Sequence, residues 1–435
     1  MKITIVLFGL SMVLGCRVDT ETKHTQASAV DPNRSVTVFL TGQELGRLKP
    51  CGCSGGQLGG LERRGAIIDQ IPATRRLVIN TGSVVPTDSD QDLIKFSVFF
   101  QAYQALRYDV VHLTDQDRQN GRATGLFQQS HDPIRFIGSQ ASPDMPLDSE
   151  SEHSFLLGDS RLAIRIIAAS QDTSLATNVN PSELRIFILN SPDPALVESV
   201  LQVADAWDCV ILPSELDEPK IHDFPGEQAL VLSIGRFGRF VGRLDILPAS
   251  NRRGFEFHFQ GIKVSEELTK DPDLVELYKN YQAIVGHSDL LESFIRFPLA
   301  GTATYLGSAA CKECHKETYD SWRKTKHGHA YATLEQAGSQ RDPECVACHV
   351  IGMESEQGFI NREQTPKLMD VGCEVCHGPG SEHVAAIGLV KTGHPKRACL
   401  HCHTPEHSGG FAGHEMEYME KIRHWMEPNA KSNVE

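Results

Sequence analysis

Residues 311–315 read Cys-Lys-Glu-Cys-His, and this stretch decides how the last third of the chain folds. The same pattern, two cysteines three positions apart and then a histidine, recurs at 345–349, 373–377 and 399–403. Two thiols at this spacing can add to the two vinyl groups of one haem, and the adjacent imidazole then reaches the iron. The sequence therefore predicts four covalently attached c-type haems.

These motifs supply two kinds of residue to each predicted haem. The attachment cysteines are Cys311, Cys314, Cys345, Cys348, Cys373, Cys376, Cys399 and Cys402. The proximal iron ligands are His315, His349, His377 and His403. Zinc can also be held by paired cysteine motifs, but it does not require a histidine after every pair, and disulfides leave the histidines unexplained. We therefore expect closely spaced haems that exchange electrons rapidly and form the core of this region.

A low-spin haem needs a second axial ligand, and the same region contains further histidines that could supply it. They are His327, His329, His383, His394, His401, His407, His414 and His424. His424 lies on a predicted C-terminal helix that begins near Glu415, and His414 and His407 compete with it. His401 lies between the cysteines of its own motif, which favours a side chain that points elsewhere. A haem without a second histidine would leave its iron open to a small molecule.

Two stretches of this region resemble the cytochrome c-554 family. Residues 307–330 contain the first motif, and residues 372–383 contain the third. The resemblance covers about residues 303–425 and implies a fold of short helices and loops around haems.

The same resemblance implies roles for individual histidines. His327 and His383 are expected to be the distal ligands of two haems. The family commonly leaves one haem without a strong distal ligand. By position the open haem is the second one, attached at Cys345 and Cys348.

The first residues of the chain indicate an export signal. Lys2 precedes an apolar run, residues 3–14, which is too short to cross a bilayer as a helix. The run ends at Gly15 and Cys16 and resembles a bacterial lipobox, in which the cysteine becomes lipidated; an ordinary secretory signal is the alternative. Arg17 stands where an Asp commonly retains lipoproteins in the inner membrane, so the outer membrane is favoured.

Composition and net charge indicate which classes of partner the protein is expected to bind. A net charge of −14 argues against nucleic acid, whose phosphates need basic surfaces. With 40% apolar and 23% charged residues, the chain resembles neither a disordered nor a multi-span membrane protein. We expect an exported, lipid-anchored protein that faces the periplasm or the outer surface, with redox proteins of the cell envelope as partners.

The region 35–265 alternates β-rich runs with helical spacing. Near-continuous apolar runs typical of buried strands occur at 36–40, 76–80, 110–113, 209–212 and 229–233. Helical spacing occupies 60–71 and 91–107, while 240–246 and 255–259 alternate like an antiparallel pair. This pattern predicts a layered α/β domain.

The order of these elements resembles the metallophosphatase domain of bacterial 5′-nucleotidases. The matching segments are 41–46, 77–83, 108–117, 211–214 and 240–244. The resemblance implies a site for two metal ions, which needs carboxylates and imidazoles. The residues at the matching positions are Gln43, Leu45, Ser83, Asp115, Gln116 and Ser214. We therefore expect a metallophosphatase-like α/β sandwich without phosphatase activity, followed by a mainly α, loop-rich multihaem domain.

In place of the expected metal ligands, the loop at residues 50–64 carries a pair of cysteines and several glycines. Cys51 and Cys53 form a C-x-C pair, for which a redox disulfide, a soft-metal site and a structural turn are alternatives. We expect a redox or metal role. The glycines of the loop precede a helix, so their amides could receive an anion near Arg63 and Arg64.

The chain is expected to divide into six segments. They are a signal peptide with lipidated Cys16 (1–16), a polar tether (17–34), the α/β domain (35–265), a helical linker (266–302), the tetrahaem domain (303–425) and a tail (426–435). Within the linker, helices are predicted from Asp271 to about Val285 and around 288–294. Cys209 and His112 lie on apolar strand patterns, which predicts core packing for both.

Two main hypotheses about function follow. In the first, the protein relays electrons through four haems, and the α/β domain serves docking or sensing. In the second, it is an oxidoreductase that reduces a small nitrogen or sulfur compound at a five-coordinate haem or at Cys51 and Cys53. A third, capture of an anion or metal ion by the α/β domain, overlaps the first.

Overall fold

The computed structural model describes most of the chain between residues 35 and 424. The described ranges are 35–50, 57–128, 133–138, 148, 150–157, 160–168, 183–189, 193–202, 207–223, 229–250, 254–393, 399–404, 407–408 and 410–424. The predicted lipidation site Cys16, the tether and the pair Cys51 and Cys53 lie outside them. Within these ranges, no helix combines the length and the apolar character needed to cross a bilayer.

The first of two six-stranded sheets has the order β12-β11-β1-β2-β3-β4. Its strands are β1 (Val36–Thr41), β2 (Arg76–Asn80), β3 (Val110–His112), β4 (Arg135–Ile137), β11 (Phe240–Pro248) and β12 (Phe255–Lys263). Strands β1 to β4 run parallel, and β11 pairs antiparallel with both β1 and β12. The predicted antiparallel pair is confirmed, with Phe240 opposite Lys263.

The second sheet has the order β5-β6-β7-β8-β10-β9. Its strands are β5 (Glu150–Leu157), β6 (Ser160–Ala168), β7 (Glu183–Ile188), β8 (Cys209–Ile211), β9 (Lys220–His222) and β10 (Leu230–Ser233). The central strands β6, β7, β8 and β10 are parallel, and the two edge strands are antiparallel to their neighbours. The sequence indicated β8 and β10 but missed the other four strands.

The two sheets pack face to face between two layers of helices. Alternate residues of β1 show this arrangement, because Val36, Val38 and Leu40 join the core between the sheets while Phe39 faces the helices. The helices of this domain are α1 (Leu61–Ile68), α2 (Asp90–Ala105), α3 (Asp115–Ala123) and α4 (Pro194–Leu201). A separate apolar cluster around Trp207 covers the outer face of the second sheet. The predicted layered α/β class is therefore confirmed.

The linker helix α5 (Pro272–His287) belongs to the core of the α/β domain. Asp271 caps it by accepting hydrogen bonds from two backbone amides, and Leu274, Tyr281 and Val285 pack into the same cluster as α2. The helix ends where Ser288 turns to an extended backbone. The second helix predicted around 288–294 was wrong, since residues 288–293 form bends and turns.

The region after residue 303 consists of short helices and loops, as expected. The helices are α6 (Lys316–Trp322), α7 (Ala330–Ala337), α8 (Pro343–Val346), α9 (Cys373–His377), α10 (Ser381–Ala385), α11 (Cys399–Cys402) and α12 (Glu415–Lys421). A small protein core lies between Tyr331 and Leu368 and includes Val346, Ile351 and Phe359. The expectation that haems alone form the core was therefore wrong for this part of the region.

A buried polar cluster joins the α/β domain to the region after residue 303, which is called the haem-motif region below. Gln91 on α2 donates a hydrogen bond to the Tyr281 hydroxyl (2.9 Å) and another to Asp342 Oδ1 (2.8 Å). Tyr281 donates to the other oxygen of Asp342 (3.0 Å), and Lys95 pairs with Glu344. Asp342 also caps α8, which opens the second motif, so the α/β domain is fixed against that motif.

Candidate haem-binding site

Three pairs of histidine rings face each other across the haem-motif region. The ring centres of His315 and His383 are 6.1 Å apart, and their planes differ by 22°. The next pair, His327 and His403, is separated by 6.2 Å with planes at 52°. The rings of His377 and His424 are 6.4 Å apart at 43°. Each pair joins the histidine of one motif to a histidine from a distant part of the chain.

These separations match the space that an iron ion needs between two imidazoles. A bond of about 2.0 Å from metal to nitrogen, with that nitrogen about 1.1 Å from its ring centre, puts two axial rings roughly 6.2 Å apart. The three observed values, 6.1, 6.2 and 6.4 Å, lie around this figure. The residues present therefore fit a haem whose iron lies between each pair.

Hydrogen bonds donated by Nδ1 to backbone carbonyl oxygens orient several of these rings. The Nδ1 atom of His377 lies 3.3 Å from the carbonyl oxygen of Gly393, and that of His383 lies 2.7 Å from the carbonyl oxygen of Val390. A proton held on Nδ1 leaves Nε2 free to coordinate a metal. Burial also lowers the pKa of His327 and His424, which favours the neutral imidazole that a metal binds.

The histidine of the second motif has a different environment. The Nδ1 atom of His349 lies 2.6 Å from the carbonyl oxygen of Ala330 and 3.5 Å from the hydroxyl of Thr333. Both partners belong to α7, so the ring is held by the helix that follows the distal candidate His327.

Cysteines from different motifs lie close enough to influence one another electrostatically, which indicates which motifs are neighbours. The neighbouring thiols are those of Cys311 and Cys373, of Cys348 and Cys402, and of Cys376 and Cys399. The first motif therefore adjoins the third, the third adjoins the fourth, and the fourth adjoins the second.

The distal histidines are placed by short, locally tied segments. The carbonyl of His327 accepts the amide of Val371 (3.1 Å), whose own carbonyl accepts the indole N–H of Trp322 (2.9 Å). The distal candidate on α10, His383, follows the third motif directly. The C-terminal helix α12 ends at Lys421, so the prediction that it carries His424 was wrong; His424 lies just beyond it.

The remaining histidine candidates have other contacts. His414 pairs with Glu417 at the start of α12, with 3.1 Å between Nδ1 and the carboxylate, and stays largely exposed. His407 contacts Arg47 of the α/β domain, with 3.1 Å between the two nitrogens. His401 is exposed on α11, as expected for a residue inside its own motif, and His394 lies outside the described residues.

One structural residue of the site was missed from the sequence. Glu374 lies between the cysteines of the third motif and is buried. Its carboxylate accepts the amides of Leu306, Gly307 and Gly380 at 2.7–3.1 Å. It thereby fixes the segment before the first motif against the third motif. The only sequence signal was an acidic residue inside an otherwise generic spacing.

Residues in the segments expected to match a metallophosphatase site make hydrogen bonds that hold loops together. The side-chain oxygen of Gln43 accepts the amide of Ser214 (2.6 Å), and the Ser214 hydroxyl accepts the amide of Gly235 (2.8 Å). Asp117 accepts the amides of Ser83 and Val84 at 2.8 and 2.9 Å. Among the described residues, no group of three or more His, Cys, Asp or Glu side chains could hold a metal ion. A c-type haem takes only two protein ligands per iron, so its sites do not form such a group.

Arg63 and Arg64, expected beside an anion site, make internal contacts, while loop residues 51–56, whose amides were expected to receive the anion, lie outside the described residues. Arg64 is buried and pairs with the buried Glu44 at 2.9 Å, and it also donates to the Tyr108 hydroxyl (3.3 Å). Arg63 donates to the carbonyl of Gly59. Both guanidinium groups therefore hold the protein interior together instead of facing a ligand.

Cys209 and His112 pack in the core, as their strand patterns predict. Burial raises the pKa of the Cys209 thiol to about 12, so the thiol is unreactive near neutral pH. Burial lowers the pKa of His112 to about 4, and its Nδ1 lies 3.1 Å from the carbonyl oxygen of Thr81.

Comparison with known proteins supports the interpretation of the haem motifs. Residues 310–378 match the family described as "Cytochrome c554 and c-prime". Cytochrome c-554 of Nitrosomonas europaea is 35% identical over 97 residues, which is 19% of this chain and 41% of that protein. The present chain thus spans about two fifths of the relative's length. The cytochrome c-554 resemblance of the C-terminal region is confirmed.

Structural similarity concerns the α/β domain. A 5′-nucleotidase precursor from Thermus thermophilus has a TM-score of 0.44 at 14% identity, covering 70% of this chain and 68% of its own. A sulfate thiohydrolase from the same organism has a TM-score of 0.44 at 13% identity, covering 65% and 68%. A calcineurin-like phosphoesterase from Bacillus subtilis has a TM-score of 0.44 at 10% identity, covering 57% and 97%. At these scores, the fold assignment depends on the strand order and packing described above.

Proposed function

We propose that residues 303–425 form a four-haem electron relay in the cell envelope. The observation that carries this proposal is the set of three histidine pairs with ring centres 6.1–6.4 Å apart. Each pair includes the histidine of a C-x-x-C-H motif, so one sequence feature and one independent distance point to the same iron positions. A bound c-type haem supplies one-electron chemistry at each of them.

The assignment of ligands follows from the pairs. The first haem takes His315 and His383, attached through Cys311 and Cys314. The third haem takes His377 and His424, and the fourth takes His403 and His327. Two imidazoles on each iron favour low-spin electron transfer over catalysis at these three haems.

The neighbouring cysteines support an order for the relay. The neighbouring thiols support an order in which the first haem is followed by the third, the fourth and the second. Electrons would therefore enter or leave at the first haem and at the second haem. The second haem lies on the side of the α/β domain, because Asp342 precedes its motif and bonds to Gln91.

The cellular setting is also part of the proposal. The signal peptide ending at Cys16 supports lipid anchoring at the outer membrane, with the protein facing the periplasm or the outer surface. The α/β domain, with Gln43 and Ser214 committed to loop hydrogen bonds, serves docking or sensing and has no phosphatase activity. Labelling with radioactive palmitate tests the anchor, and the variant Cys16→Ala is expected to lose the label.

A substitution at a distal ligand tests the relay site directly. In His424→Ala the third haem loses one imidazole, so the oxidised holoprotein should gain one high-spin haem per chain in resonance Raman spectra. His414→Ala is the matched control, because the largely exposed His414 pairs with Glu417 at the surface. The assignment fails if both variants keep the wild-type spin state or if both change equally.

The second candidate function is an oxidoreductase that reduces a small nitrogen or sulfur compound. The cytochrome c-554 resemblance favours an open iron at the second haem, beside His349. For the pair Cys51 and Cys53, the observation is that Arg47 and Gln57, on either side of the segment, both contact His407 next to the fourth motif.

Ligand binding separates the two functions. Nitric oxide or cyanide should bind one haem per chain if the second haem is open, and none if all four irons carry two ligands. Alkylation of Cys51 and Cys53 before and after reduction of the haems shows whether electrons reach the thiols. Thiols that are blocked to the same extent in both states exclude the second site.

A further inference from the structure

Four non-glycine residues at one edge of the first sheet have strained backbones. Gln43, Leu45, Ser83 and Phe237 have positive φ angles of 49°, 49°, 58° and 62°. Such angles are rare for bulky side chains, and they cluster at functional sites. The strained loops are bonded together, since the Gln43 amide donates to Gly82 and the Phe237 amide donates to Gln43. The loop that carries Phe237 is thereby held over the carboxyl ends of β1 and β2, the edge where ligands bind in α/β sheets.

Three guanidinium groups surround the ring of Phe237. The central carbon of Arg236 lies 5.0 Å from the ring centre, that of Arg239 lies 5.2 Å away, and that of Arg47 lies 5.8 Å away. They come from two different loops, so their convergence is a product of the fold and not of local sequence. Stacking on one ring fixes the planes of the three groups and limits their conformational freedom.

One carboxylate shares this cluster. Asp217 accepts two hydrogen bonds from Arg236 at its Oδ1 atom (2.9 and 3.1 Å) and one from Arg239 at its Oδ2 atom. The three guanidinium groups are positively charged and Asp217 is shared between two of them, in a chain whose net charge is −14. Among the described residues, the Nε atom of Arg47 is buried without a hydrogen-bond partner. A buried donor of this kind costs free energy until an acceptor reaches it.

The cluster adjoins the haem-motif region. Arg47 contacts His407, which follows the fourth motif by four residues, and His407 Nδ1 in turn lies 2.9 Å from the Thr404 hydroxyl. An anion bound here would therefore lie beside the segment that leads to the proposed iron ligand His403.

We propose that Arg47, Arg236 and Arg239 form a binding site for a small inorganic oxyanion. Planar guanidinium groups match the oxygen spacing of such ions and bind them through paired, charge-assisted hydrogen bonds. The anion would add a negative partner to the cluster and supply an acceptor for Arg47. This site lies in the α/β domain and uses none of the proposed haem ligands, so it goes beyond the electron relay and can fail without it.

Calorimetric titration of the oxidised holoprotein tests the proposal. Sulfate, phosphate and nitrate are added separately at low ionic strength, because salt screens exposed charges. At least one of them should bind with one site per chain. Arg236→Gln should weaken binding about ten- to hundredfold, as expected for loss of a hydrogen bond to a charged group. Arg47→Gln, on the other loop, should weaken it similarly.

The control is Arg161→Gln, which removes an exposed arginine from the far sheet, where it bonds Ser154. This variant should keep the wild-type affinity. Unchanged Soret spectra and melting temperatures in both test variants show that any loss of binding is local. If Arg236→Gln does not fold, Arg47→Gln still tests the site. The proposal is overturned if none of the three anions binds the wild type, or if the variants at Arg47 and Arg236 bind as tightly as the control.

Discussion

Histidines in this chain are distinguished by what lies opposite their rings. His383 and His112 both have Nδ1 close to a backbone carbonyl oxygen, at 2.7 and 3.1 Å. The ring centres of His383 and His315 are 6.1 Å apart, which leaves room for an iron ion between them, whereas His112 is buried on β3. The sequence could predict the proximal ligands, because they follow a fixed spacing. It could not rank His424 above His414, because that choice depends on where the chain turns after α12.

The buried His112 predicts a pH dependence of stability. Its pKa is about 4 in the folded protein and about 6.5 when unfolded, so folding favours the neutral form. The stabilisation is complete above pH 6.5 and is lost as the pH falls towards 4, by up to about 3 kcal/mol. Urea denaturation followed by tryptophan fluorescence should show this loss in the wild type, whereas His112→Gln should lack that share of it. His258→Gln, at an exposed position on β12, is the control and should retain the wild-type slope. A constant difference between wild type and His112→Gln from pH 7 to 4.5 would contradict the assignment.

At the scale of elements, the apolar strands were predictable and the polar ones were not. β1 and β2 are buried along their whole length, and their sequences are mostly apolar, although Thr37, Arg76 and Asn80 are buried there too. The edge strand β5 reads Glu-Ser-Glu-His-Ser-Phe-Leu-Leu and is half exposed, which hides it from a hydrophobic pattern. The helix expected after Ser288 fails for a different reason, because the extended backbone of Ser288 ends α5. Tertiary contacts decide such boundaries.

The hydrogen bonds of Glu374 are expected to stabilise the packing of the haem-motif region. Replacement by Gln removes the charge from a carboxylate that serves three backbone amides, so Glu374→Gln should lower the free energy of unfolding by about 2–3 kcal/mol. Denaturant titration followed by the Soret band measures this loss. Glu313→Gln is the matched control, since Glu313 lies between the cysteines of the first motif but is exposed. Equal stability of the two variants would show that the amide contacts contribute nothing.

At the scale of the whole molecule, the contacts of the described residues between the α/β domain and the haem-motif region include two beside the haem motifs. One joins Gln91 and Tyr281 to Asp342 before the second motif, and the other joins Arg47 to His407 after the fourth. Burial raises the pKa of the Asp342 carboxyl, and the nearby Glu344 raises it further. A negative charge on Asp342 is therefore less favourable at this contact than in water. The sequence predicted both domains, but not this interface, because its residues are far apart in the chain and follow no motif.

The buried interface predicts coupled unfolding of the two domains. Gln91→Ala leaves Asp342 and Tyr281 without a shared donor, which should weaken the contact by about 1–3 kcal/mol. Calorimetry should then show two separated transitions in place of one merged transition. Gln101→Ala is the control on the same helix, because Gln101 is exposed and its side chain bonds within α2. Identical calorimetric profiles for the two variants would argue against coupling through this cluster.

Electron paramagnetic resonance of the oxidised holoprotein, quantified against its haem content, tests the four-haem relay most directly. Four haems per chain are predicted, with low-spin signals that account for the three irons between His315 and His383, His377 and His424, and His403 and His327. The iron of the second haem, beside His349, is predicted to be low-spin in a relay without an open site and high-spin if that iron is open to a small molecule. Fewer than four haems per chain, or high-spin signals that account for two or more of them, would contradict the assignment.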